Sequence, residues 1–197
     1  VSRQGLASVA TIALNVSASQ YGDAAIAAMS IVNRIVMFIF SVIIGLGQGY
    51  QPMCGFCYGA QLYERVKGGF WFCVKLGSAF LLFWSVVLFI FSDAAIELFR
   101  NDADVISIGI RALRYQLLIF PFWAFLIMAN MMQTCRKPIR ANILAASRQG
   151  LFFIPLILVL PRWFGLTGVE ICQACSDFIS LLVTIPIVYS AFREMRV

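Results

Sequence analysis

The sequence predicts an all-α integral membrane protein, a bundle of six transmembrane helices. Of its 197 residues, 61% are hydrophobic and only 12% are charged. The mean hydropathy is +0.89, far from the ordinary globular mix, and a water-soluble domain of this size would have to expose impossible apolar patches. The apolar residues also fall into six runs, at 1–19, 24–58, 68–91, 106–132, 138–160 and 168–191. Each is near or beyond the ~20 residues that cross a hydrocarbon core.

The first run opens the chain inside a hydrophobic segment, with no short charged region ahead of it, so no signal peptide is expected. Its one asparagine is Asn15. The second run would be about 50 Å long as a helix, against a core of ~30 Å. Its end reads GLGQGYQPMCGFCYGA from Gly45 to Ala60. A membrane helix tolerates such a stretch where neighbours satisfy the freed backbone groups. The segment is expected to bend, tilt or leave the bilayer there, with Gly45, Gly47, Gly49 and Pro52 as a hinge. The same run places Met29, Asn33 and Met37 at i, i+4 and i+8 on one face, and Arg34 near the midplane.

In the third run Gly77 permits close helix contact. The fourth holds Gln116, Phe120 and Pro121, with Arg111 and Arg114 near enough to its end to snorkel, as Lys75 does in the third. Pro155 bends the fifth run, and Pro121 joins it as a second hinge candidate. The sixth places Asp177 at membrane depth. Arg34 and Asp177 are expected to face the bundle interior and neutralise each other, since ionisable residues at that depth are costly and default to functional candidates. Between the runs no linker is long enough to separate two domains, so residues 1–197 form one unit.

Loop charge sets the orientation. Arg65, Lys67, Arg136, Lys137, Arg140, Arg193 and Arg196 cluster at the even loops and the tail, and Asp23, Asp93, Glu97, Asp102 and Asp104 at the odd ones. The positive-inside rule then makes the carboxyl terminus cytoplasmic. The net charge of +6 is thus a topology signal and no argument for nucleic acid. Cys54-x-x-Cys57 and Cys172-x-x-Cys175 have metal-ligand spacing, but no histidine exists anywhere and neither pair forms a hydrophilic knuckle. They read as small apolar packing residues, with no metal and no organic cofactor. Without histidine, paired midplane acids or a phosphate-binding loop, an intramembrane enzyme or an ATP-driven pump is not expected.

The motif G-x-G-Q-G-x-Q-P followed by G-x-x-Y-G-A resembles the end of the eighth helix in the multidrug and toxic compound extrusion (MATE) transporters. SRQGLASV at Ser2 resembles their seventh helix. SRQGLFFIP at Ser147, then LPRWFGLTGV, then Ser176-Asp177, follow in the order that family shows, and Ser2–Leu6 repeats as Ser147–Leu151. The resemblance spans the whole chain but only the carboxyl-terminal half of such a transporter, implying a partner amino-terminal lobe outside it. It implies a multi-pass plasma-membrane antiporter that exports lipophilic cations on an H⁺ or Na⁺ gradient by alternating access.

Aromatic and methionine side chains suit such substrates. The expected lining is Met29, Asn33 and Met37 with Asn15, Gln116 and Phe120. The sodium-coupled branch uses acids in the seventh and tenth helices; the runs 1–19 and 106–132 have none, so the chain looks more like the DinF/MepA-like branch. Asp177 is then the mid-membrane acid left for a proton relay. The alternative within the wider superfamily is a flippase for lipid-linked oligosaccharide or polysaccharide, whose cavity would need several bases for pyrophosphate.

Overall fold

The computed structural model describes residues 2–20, 22–99, 102–136, 141–142 and 153–195. They form helices α1 (Ser2–Ser19), α2 (Asp23–Gly59), α3 (Tyr63–Ile90), α4 (Ser92–Glu97), α5 (Ala103–Leu117), α6 (Phe120–Arg136), α7 (Phe153–Phe164) and α8 (Leu166–Glu194). Among the described residues α2, α3 and α8 are long and apolar enough to cross a membrane, and α5 with α6 makes a fourth, broken span. The repeat copy at Ser147–Leu151 lies outside the described residues.

The punctuation is local. Gly22 turns the chain into α2 with φ +95°, and Asp23 complements the positive helix end. Asp102 caps α5 by accepting from the backbone N–H of Asp104 at 3.2 Å. At the far end of α2, Leu62 N–H closes back onto Cys57 O at 2.8 Å, and Tyr50 donates to Val66 O of α3 at 3.1 Å. The core then lies where α6 meets α2, α3 and α8. Trp123, Ala124, Met128, Ala129 and Met132 on α6 are all buried. Large side chains such as Phe38, Phe56, Phe83 and Tyr189 point outward, as a lipid-facing surface requires.

The chain does not leave the helix at the glycine-rich end of the second run: α2 is one uninterrupted helix from Asp23 through Pro52 to Gly59. The reason is packing. Gly47 lets α6 come so close that a Cβ would meet Met131 Cγ at 3.0 Å, while Gly45 and Gly49 have open space beside them and give the backbone no reason to depart from a helix.

The fourth span is bent where α5 and α6 meet, at 57°. Pro121 is the cause, because it has no N–H to offer the carbonyl of Leu117 four residues back. Short i→i−3 bonds carry the chain round, Ile119 to Gln116 at 3.1 Å and Phe122 to Ile119 at 3.0 Å. Helix α3 supplies what the proline removes: Ser85 Oγ donates to Leu117 O at 3.0 Å, and Ser78 Oγ to Pro121 O at 2.9 Å. Gly77 lets α3 approach that closely, its missing Cβ lying 3.0 Å from Ala124 Cβ.

Ser85→Ala is therefore expected to cost about 1–3 kcal/mol in detergent unfolding. The cost should shrink toward zero in a Pro121→Ala background, where a backbone N–H returns for Leu117. Equal costs in both backgrounds would show that the serine does not replace the lost bond.

Candidate functional site

An apolar bundle has little use for buried polar side chains, yet α8 carries a row of them. Glu170, Gln173, Asp177, Ser180 and Thr184 recur at spacings of 3, 4, 3 and 4, which puts them on one helix face. Glu170, Asp177, Ser180 and Thr184 are each at most 2% exposed, and Gln173 is half-buried. The row meets the broken span α5–α6.

Three contacts join them along the length of α8. Near its amino end Arg111 Nη2 of α5 lies 3.4 Å from Glu170 Oε1. About 10 Å further at helical rise, Trp123 Nε1 of α6 donates to Asp177 Oδ2 at 2.9 Å, and Gln173 Nε2 lies 3.3 Å from each oxygen of the same carboxylate. At the carboxyl end Arg136 Nη2 of α6 pairs with Glu194 Oε2 at 3.1 Å, and its guanidinium sits over the Tyr58 ring of α2, 5.2 Å from the centre.

The middle contact is the richest. Trp123 takes Phe40 of α2 edge-on at 5.0 Å and lies against Phe120 at 4.9 Å. An acid thus stands behind an aromatic cluster contributed by α2 and α6, an arrangement that favours positive charge. Buried polar atoms on α8 and on the broken span are left without hydrogen-bond partners: Glu170 Oε1 and Oε2 and Ser180 Oγ on α8, Gln116 Oε1 on α5, and both ends of the Gln133 amide on α6. A native interior seldom leaves such atoms unmet without a functional or solvent reason.

The expected lining is distributed differently. On α2, Met29 is buried, Asn33 half-buried and Met37 63% exposed, so the stripe passes from core to surface. Gln116 and Phe120 are sealed on either side of the α5–α6 joint. Asn15 lies on α1, and its side chain is outside those described. Of the hinge candidates, Pro52 sits inside α2, Pro155 inside α7, and Pro121 at the observed bend.

Arg34 and Asp177 are not brought together. Arg34 is exposed on the side of α2 shared with Met37 and Phe38, while Val32, Ile35, Val36 and Ile39 face the core. Depth in the sequence located both residues, but helical phase turned them apart. Nor is Asp177 alone. Glu170, at the edge of the sixth apolar run, is a second buried acid, and Arg111, expected to snorkel, is its partner. The 3-4-3-4 polar spacing on α8 is the sequence signal that would have found the row.

The protein-family model MatE matches residues 3–159. The multidrug export protein MepA of Staphylococcus haemolyticus is 26% identical over 197 residues, covering 98% of this chain and 42% of its own length. MepA of Staphylococcus saprophyticus is 27% identical over 186 residues, covering 93% of this chain and 41% of its own. The chain therefore spans about two fifths of the length of these curated relatives. Among solved structures, an outward-facing multidrug resistance transporter of the MOP superfamily superposes with a TM-score of 0.91 at 20% identity, over 98% of this chain and 44% of that one. The Vibrio cholerae transporter VcmN in its bent form gives 0.90 at 18% identity, over 98% and 44%.

Proposed function

The chain belongs to the MatE family of transporters, and on that premise we propose that it forms one lobe of a secondary active antiporter. The carrier exports lipophilic, cationic drugs and toxins on an H⁺ or Na⁺ gradient. The lobe is the carboxyl-terminal six-span half, with its terminus in the cytoplasm, and it rocks against an amino-terminal partner lobe around a shared cavity. The observation that carries the reading is the match of nearly the whole chain to multidrug export proteins. The geometry supports it, because an acid behind an aromatic cluster and a row of unmet polar atoms have no place in a mere lipid-facing bundle.

The flippase alternative gains nothing from the row: its arginines, Arg111 and Arg136, are each held by a carboxylate, which leaves neither as a ready base for pyrophosphate.

The test is a chimaera in which this chain replaces the matched part of S. haemolyticus MepA, expressed in a bacterium lacking its own efflux pumps. Ethidium export several-fold above the empty vector is expected, and none from this chain expressed alone. A chimaera that reaches the membrane intact and exports no dye would overturn the reading, as would export by the chain alone.

A further inference from the structure

Glu170 is a sealed carboxylate whose bonding is incomplete. Its side chain is 0% exposed, neither oxygen accepts a hydrogen bond, and Arg111 Nη2 stands 3.4 Å away. A buried ion pair holds its own only when further hydrogen bonds fill the remaining lone pairs, and a carboxylate has several such sites to fill. Arg111 is the opposite case. Its side chain is 55% exposed, so the guanidinium can swing away on its flexible stem without unpacking α5. It would leave a bare carboxylate at the head of the row Gln173, Asp177, Ser180 and Thr184, each about one helical turn from the next. Ser180 Oγ in that row, and Gln116 Oε1 on the facing helix α5, also lack partners.

We infer that Glu170 is an exchange site for a small monovalent cation, and that Arg111 is the internal counter-ion that fills it when the cation is absent. This rests on the transport reading above and names where in the lobe the driving ion is taken. Enclosure sets the class of ligand: a carboxylate closed to water admits Na⁺ or H⁺ but no drug-sized cation. Either neutralises the carboxylate and releases Arg111 toward solvent.

Among the described residues, the other charged groups near α8 are engaged or exposed. On the elements packed against α8, Arg114 is engaged by Ser92 Oγ and the Phe89 ring, and Arg136 by Glu194. Asp104 and Arg162 are exposed, Tyr115 is half-buried on α5, and Cys135 of α6 donates to Gln51 O. The side chain of Arg3 on α1 lies outside those described. On α8 itself, Asp177 is held by Trp123 and Gln173.

The experiment uses the purified chain in lipid nanodiscs with two probes: sodium-22 retention, and proton uptake from weakly buffered, sodium-free medium. Arg111→Ala removes the competitor and is expected to raise loading about tenfold, in the sodium arm if Na⁺ is the ion and in the proton arm if H⁺ is. Arg111→Lys, which keeps the counter-charge, is expected to stay within about twofold of the unmodified chain, and Glu170→Gln in the Arg111→Ala protein to abolish the gain. No gain in either arm for Arg111→Ala would show a purely structural pair and overturn the proposal. A gain that survives Glu170→Gln would place the ion elsewhere and overturn it equally. Should the double variant fail to fold, the single variant still decides, through the presence or absence of the gain. Dye export failing in the chimaera while loading behaves as expected would sink the transport reading and leave the ion site standing.

Discussion

Glu194→Ala is expected to lower the stability of the purified chain by about 3 kcal/mol, read as an early unfolding midpoint in detergent. The loss does not come from the value of the ion pair itself. Arg136 is only 1% exposed at its side chain, its Nε and Nη1 have no hydrogen-bond partners, and Glu194 is the acid that neutralises it. Without that acid a guanidinium is stranded inside the lobe, and the Tyr58 ring gives back only part of the cost. The decisive comparison is the double variant. Arg136→Met with Glu194→Ala replaces the pair by an apolar side chain of similar length and should recover most of the loss. Additive losses would show that Arg136 is held by its packing and not by its charge.

Gly168→Ala is expected to be as damaging, at about 3 kcal/mol, and to act on the site as well. Helix α8 turns back on α7 so tightly that a Cβ at residue 168 would run into the carbonyl group of Leu160 and lie 2.7 Å from Pro161 N. These are backbone atoms, which cannot swivel aside. The turn already uses Gly165 at φ +60°, a conformation that suits a residue without a side chain. Because Glu170 follows two residues later, relief of the clash is expected to disturb its 3.4 Å contact with Arg111. Thermal unfolding reads the first effect, and sodium-22 or proton loading with Arg111 in place, which should rise as the pair loosens, reads the second. A variant with unchanged stability would mean that α7 and α8 can part without loss.

Much of this architecture was legible in the chain. Hydrophobicity and length placed α2, α3 and α8, and Pro121 marked the joint between α5 and α6, since a missing N–H is visible in any sequence. The glycine-rich end of α2 was harder to read, because glycine suits both a flexible point and a close contact; Gly47 has Met131 against it. Arg34 and Asp177 were found by depth, which carries no information about direction around the helix. Trp123 could not be matched to Asp177 from 54 residues away, nor Ser85 to a carbonyl 32 residues on. Arg136 counted as loop charge because its burial depends on Tyr58 and Glu194 arriving from two other helices. The polar row on α8 was different: its spacing was there to be read.

The two serines of α3 have a mechanical consequence. They grip the elbow on both of its arms, so changing its angle would mean sliding one straight rod past two anchored points. The cheaper motion is for rod and elbow to tip together as a crank, turning a push along the membrane normal on one arm into a sideways sweep of the other.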